Sequence, residues 1–192
     1  YGGDKGIFGF GATVSMTNLV SSSGVVASDV TGVGTTRQLL AAAGYGGDKA
    51  IFGYGGNDSG YLSLANLVSN SGVVASDTTG VGTARSQMAA TTYGTDKAIF
   101  AYGYTGGGAG GYENMSNLVS NVGVVATDTT GVGTARNKPA ATQYGGDLGI
   151  FAFGKTSSDL SMSNLVSNAG VVASDVTGVG NARLGPEGCS YN

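Results

Sequence analysis

Apolar residues fall along this chain in short runs of β-branched and aromatic side chains, broken by glycine and by Asn- and Ser-containing turns. In the second of four similar stretches, 49–54 (KAIFGY) and 64–69 (LANLVS) read as strands. The turn Asn70-Ser71-Gly72 follows, and Asn and Gly accept the positive φ that a tight hairpin needs. Residues 73–79 (VVASDTT) supply a third strand and 85–93 a fourth, after which a Tyr-Gly turn leads into the next copy. No apolar spacing of 3.6 residues survives for more than a turn, so the pattern predicts an all-β chain without helices.

Repetition organises these elements. Arg37, Arg85, Arg136 and Arg183 each lie 19 residues after an asparagine (Asn18, Asn66, Asn117, Asn164) and 8 before a tyrosine (Tyr45, Tyr93, Tyr144, Tyr191). The Tyr-to-Asn gaps are instead 17, 21, 24 and 20 residues. Length variation is therefore confined to one surface loop per unit, at 11–16, 55–64, 103–115 and 154–162, while the rest behaves as a hydrogen-bonded frame. The units run 1–37, 38–85, 86–136 and 137–183 within a single domain, 1–192. Four antiparallel strands per unit with short turns predict a β-propeller of four four-stranded blades. The segment 183–191 is the counterpart of the stretches that elsewhere lead into a Tyr-Gly turn such as the one at Tyr1, and is expected to close the ring by joining the N-terminal blade. Pro186 within it suits only an edge or irregular position. An open piece of a larger ring, or one completed by another chain, is the alternative.

The order Ala-Arg, a small apolar strand, Tyr-Gly-Gly, a strand ending AIFGYGG, then loop and strand resembles the kelch repeat across all 192 residues. The double glycine stands only at Gly55-Gly56, with single Gly11, Gly103 and Gly154 elsewhere, and there is no Trp. The near-identical NLVSNxGVVAxDTTGVGTAR units are also similar to repeat arrays in tail-fibre and adhesin-like proteins of viruses and marine bacteria. The kelch likeness implies a binding scaffold. The copper oxidase chemistry found in some members is not carried over, because the chain has no histidine.

Composition narrows the function. Charged residues make up only 11%, leaving a surface rich in Ser, Thr, Asn and Gly, as is more typical of extracellular and virion proteins than of cytosolic enzymes. A net charge of −3 and arginines spread one per unit argue against nucleic acid, which requires clustered cations. No apolar run is long enough to insert in a membrane. The lone Cys189 cannot form an internal disulfide. The chain begins at Tyr1 without methionine or signal peptide, which is compatible with a processed product or a piece of something longer.

Candidate chemistry is sparse. YGGDKAIFGYGG is glycine-rich, yet its glycines flank a strand and nothing helical follows, so it reads as architecture rather than a phosphate cradle. Asp4, Asp48, Asp96 and Asp147, with Asp29, Asp77, Asp128 and Asp175, recur in equivalent places, which suits turn hydrogen bonds or Asp–Arg pairs between units better than a tuned catalytic carboxylate. Gly56-Asn57-Asp58-Ser59-Gly60 has oxygens suited to calcium but no EF-hand spacing, and reads as a turn. No metal or cofactor is expected.

The unique residues lie in the variable loops, which alternating strand direction places on the same face as the GVGTAR connections. Asp58, Tyr61, Tyr104, Tyr112, Glu113, Lys155 and Asp159 form the candidate ligand-binding set, since exposed tyrosines beside carboxylates suit sugars. The expectation is a non-enzymatic binding or adhesion module contacting a glycan or protein on a cell surface, outside the cell or on a virus particle. A purely structural repeat of a fibre, assembled with other chains, is the second reading. A polysaccharide-acting enzyme using a unique carboxylate such as Glu113 is the third.

Overall fold

A computed structural model describes residues 1–12 and 14–191. Thr13, inside the first variable loop, lies outside the described residues. The chain is all-β apart from one 3-10 turn, Gly108–Gly111. The first unit holds β1 (Gly6–Gly11) and β2 (Val14–Val20), paired antiparallel. The second holds β3 (Ala41–Tyr45), β4 (Lys49–Gly53) and, beyond a small hairpin of β5 (Gly56–Asn57) and β6 (Gly60–Tyr61), β7 (Ala65–Val68). The third holds β8 (Ala89–Tyr93), β9 (Lys97–Tyr104) and β10 (Tyr112–Val119). The fourth holds β11 (Ala140–Tyr144), β12 (Leu148–Ala152) and β13 (Ser163–Val166).

The expected propeller of four four-stranded blades is not formed. Among the described residues the strands make five separate sheets of two or three, and none closes or curls into a propeller. Two local causes account for the missing fourth strands. The segment at 73–79 meets β7 only at two isolated bridges, Val68 with Val74 and Ala65 with Thr78. Between them the Asp77 carboxylate turns to other partners, accepting from Thr35 of the preceding unit and from the Asn66 side chain. Such side-chain bonds compete with a ladder. The same two bridges recur in the other three units. The expected closing strand, 183–191, has no strand structure at all. Pro186 lacks an N–H, Gly185 has a left-handed φ of 60°, and the segment is tied to the body through Gly185 N to Lys138 O, 3.0 Å.

The core lies between successive sheets rather than at one centre. Tyr45, Ile51 and Tyr54 of the second unit pack with Met88, Phe100 and Val119 of the third. Tyr93, Ile99 and Tyr102 of the third pack with Phe151 and Val166 of the fourth. Aromatic pairs in edge-to-face geometry mark each junction: Phe10 on Phe52 at 5.2 Å, Tyr54 on Phe100 at 5.2 Å, and Tyr102 on Phe151 at 5.4 Å.

A buried arginine fixes each junction. Arg85 donates Nε to the Tyr102 carbonyl (2.9 Å), Nη1 to the Thr83 carbonyl (3.1 Å) and Nη2 to Asn117 Oδ1 (2.6 Å). Its guanidinium lies 4.6 Å from the Tyr54 ring centre and 3.7 Å from the Asp128 carboxylate. Arg37 uses Asn66 and Asp77 in the same way, and Arg136 keeps the bonds to Asn164 Oδ1 and the Thr134 carbonyl, with the Asp175 charge acting on it from farther off. Burial lowers the pKa of each arginine, and the facing aspartate opposes that effect. Burial pushes the Asp128 carboxyl up, but bonds from Thr83 and Asn117 and the Arg85 charge outweigh it and hold it below the usual range. The repeated asparagines are thus shared ligands: each also donates Nδ2 to a backbone carbonyl of its own unit, as Asn117 does to Ala126.

Candidate functional site

Sequence divergence concentrates at the loops and in the residues just after each arginine, and the structure joins the two. Gly56, Tyr104 and Lys155 are equivalent positions at the start of three loops. They form backbone bridges with Gln38, Ser86 and Asn137, each one residue past an arginine. The next residues, Leu39, Gln87 and Lys138, have left-handed backbones with φ of 55°, 57° and 49°. That conformation is uncommon for non-glycine residues. It is held by a chain of bonds across units: Gln87 N donates to Leu39 O (2.9 Å), Lys138 N to Gln87 O (2.8 Å), and Gly185 N to Lys138 O (3.0 Å).

These turns line a cavity of about 500 Å3, to which the second, third and fourth units contribute through 39–42, 87–90 and 138–141, and the C-terminal segment through 185–188. Half of the wall is Ala and Leu, with Lys138 and Glu187 the charged side chains on it. A smaller cleft of about 280 Å3 shares Leu39 with this cavity and is walled by Asn57, Asp58, Tyr61 and Ser86. The cavity residues are absent from the loop-based set of candidates. Their signal was available in the sequence: QLLA, SQMA, NKPA and LGPE differ within an otherwise constant frame.

The tyrosines of the candidate set come together. Tyr61 from the second unit meets Tyr104 of the third edge-on, with centroids 6.2 Å apart, and Tyr104 lies 5.5 Å from Tyr112. The ladder is anchored at both ends of the third loop. Tyr104 Oη accepts from Gly108 N (2.9 Å), and Tyr112 Oη donates to the Thr156 carbonyl of the fourth loop (2.8 Å). Asp58 is exposed beside Tyr61, in the turn of the β5–β6 hairpin, where Asn57 Oδ1 accepts from Ser59 N (2.9 Å). The segment 56–60 considered for calcium is therefore an ordinary Asx turn. Among the described residues, no group of three or more His, Cys, Asp or Glu is placed to hold a metal.

The charged candidates are less convergent. Glu113 accepts from Thr105 Oγ1 at 3.0 Å within its own loop, while its carbonyl receives Arg136 N. Lys155 and Asp159 face each other at 3.8 Å across the fourth loop, both about 40% exposed. The first loop, 11–16, brings none of the candidate side chains.

No protein-family description and no curated protein matches the chain. Among solved structures it is similar to one titled "Structure of YjhT", with 12% sequence identity and a TM-score of 0.59. The match covers 82% of this chain and 50% of that one, so the chain spans half the length of the structure it resembles. At this identity the likeness is one of backbone path, and the kelch resemblance is carried by residue pattern alone.

Proposed function

We propose that the chain is a non-enzymatic recognition module whose loop face binds a glycan. The observation that carries this reading is the ladder Tyr61–Tyr104–Tyr112, built from two units and bordered by a cleft with Asn57 and Asp58. Tyrosine rings supply flat apolar faces for the C–H side of a sugar ring, at low entropic cost of ordering. Amide and carboxylate groups beside them accept and donate to hydroxyls. The scarcity of charge across the chain suits a neutral saccharide outside the cell or on a virus particle. Catalysis is a weaker reading because Glu113, the carboxylate within the third loop, is occupied by Thr105.

A glycan array, followed by titration calorimetry of any hit, tests the proposal. Binding is expected to fall at least tenfold on Tyr104→Ala with little change in melting temperature, since Tyr104 is only partly buried. An empty array together with a positive protein-binding screen mapped to the same tyrosines would redirect the module to protein recognition. Binding indifferent to Tyr61, Tyr104 and Tyr112 would remove the loop face from the function.

A further inference from the structure

The carboxylates of the variable loops differ in how they are engaged. Glu113 accepts from Thr105 Oγ1 at 3.0 Å, and Asp159 faces Lys155 at 3.8 Å. Asp58 stands exposed in the turn of the β5–β6 hairpin, on the wall of the cleft of about 280 Å3. Among the described residues, neither a hydrogen-bond donor nor a cation meets its carboxylate. The turn that presents it is held by Asn57, whose Oδ1 accepts from Ser59 N at 2.9 Å and whose Nδ2 donates to the Thr36 carbonyl at 3.3 Å.

A second unpartnered group stands in the wall of the same cleft, contributed by the third unit. Ser86 is 1% exposed, and its hydroxyl has no hydrogen-bond partner. Its backbone is engaged with Tyr104, the N–H donating at 3.0 Å and the carbonyl accepting at 2.8 Å, so the residue is fixed and only its hydroxyl can turn. A buried hydroxyl left without a partner costs stability, and a bound group that completes it recovers that cost. The apolar part of the wall is Leu39, 50% exposed on its left-handed turn, and the ring of Tyr61, 38% exposed. Gly56 and Gly60 complete the cleft and put no side chain into it.

We propose that this cleft selects a sugar unit bearing an acetamido group, an N-acetylhexosamine, at the Tyr61 end of the tyrosine ladder. An acetamido group needs one acceptor for its N–H, one donor for its carbonyl and an apolar surface for its methyl. The Asp58 carboxylate is the acceptor, the Ser86 hydroxyl is the donor, and Leu39 with the Tyr61 ring is the surface. A plain hydroxyl in the same place leaves Leu39 without contact, and a free amine satisfies Asp58 alone. At about 280 Å3 the cleft lies near the lower end of ligand pockets, roughly 300 Å3, and so takes one sugar unit rather than a chain. The inference rests on the loop face binding a glycan, and it adds the substituent by which that glycan is read.

Calorimetric titration of the full chain with trisaccharides that share a backbone and differ only in the substituent tests it: triacetylchitotriose, cellotriose with a hydroxyl in its place, and chitotriose with a free amine. The acetylated trimer is expected to bind about tenfold tighter than the other two, because a site built to hydrogen-bond a group discriminates against analogues that lack it. Ser86→Ala and Asp58→Ala should each weaken the acetylated trimer about tenfold and leave cellotriose unchanged, whereas Tyr104→Ala should weaken all three alike. Ser86→Ala should melt no lower than the parent chain, since it removes a hydroxyl that has no partner. Equal affinity for the acetylated trimer and cellotriose, tighter binding of the amine, or a preference that survives both variants would overturn the acetamido reading while leaving the loop face a glycan site. Failure of all three trimers to bind, with a glycan array positive for other sugars, overturns it in the same way, and an empty array removes the loop-face proposal as well.

Discussion

Arg85 and Arg183 sit in the same local sequence, Gly-Val-Gly, one residue, Ala, Arg, and stack on the same kind of ring, yet one is fully buried and the other exposed. The difference is the neighbour. Arg85 has Asn117 and Asp128 of the next unit before it, whereas among the described residues no asparagine and aspartate face Arg183. Local sequence thus sets the shape of the plug, while only the adjoining sheet decides whether it becomes a structural element or a free surface. Repeat architectures generally place stability in such nearest-neighbour contacts.

The largest effect should come from the arginines. Arg85→Ala is expected to destabilise the dilute chain by about 3–5 kcal/mol, because it strands Asp128 and Asn117 in a partly buried pocket. Arg183→Ala should cost only about 0.5–1 kcal/mol, the value of an exposed cation–π contact. Urea unfolding monitored by tyrosine fluorescence compares them, and equal losses would mean that burial at the junction is not what distinguishes the two.

Phenylalanines offer the apolar version. Phe100→Ala removes a ring with no exposure and should cost about 3–5 kcal/mol, whereas Phe8→Ala should fall within about 0.5 kcal/mol. A smaller separation is expected for glycines. Gly24 and Gly123 have φ of 78° and 85°, so alanine at either meets the same backbone strain, of about 1–2 kcal/mol. Only at Gly123 does the added Cβ run into Tyr45 and Leu67, adding about 1–3 kcal/mol. Thermal melts of the two variants isolate that clash.

The smallest effects are those of pH, and they belong to the mated junctions. Asp77, Asp128 and Asp175 have lowered pKa values, so their contribution is complete above the ordinary carboxylate range near ~4 and is lost as pH falls through their folded values. Acid titration of stability should therefore flatten in Asp128→Asn. At the alkaline end, burial pushes Tyr54 and Tyr102 up to about 12, opposed by the charges of Arg85 and Arg136. Their contribution is complete below about 10 and is lost as pH rises towards 12. Ultraviolet absorbance should show two tyrosines ionising late, and their disappearance in favour of a single ordinary titration would place them outside the core.

Much of the strand order was legible. Residues 49–54, 64–69 and 85–93 contain β4, β7 and β8, because alternation, aromatic content and Asn-Gly turns are local signals. The segment 73–79 misled because its valines look like a strand, while it meets β7 only at isolated bridges and Asp77 spends its hydrogen bonds on Thr35 and Asn66. The segment 183–191 misled because the eight-residue spacing from arginine to tyrosine is kept, although Gly185, Pro186 and Gly188 remove the means to pair. At the candidate site, the loop tyrosines could be found from length variation. The rim residues Leu39, Gln87 and Lys138 could not be placed without knowing that their turns are left-handed and that the Gln87 and Lys138 amides bond the preceding unit.

The sequence by itself determined the unit: its length, its turns, its all-β character and the one place where it varies. These follow from residue-level preferences that act within a few positions of the chain. Only the tertiary structure decided what the units do to one another. It set which arginines are buried, which phenylalanines are covered, that the sheets stay separate and unclosed, and that Tyr61 meets Tyr104. The physical reason is that burial and charge pairing depend on the surface presented by the neighbouring unit, and identical stretches of sequence meet different neighbours in the middle of the chain and at its ends.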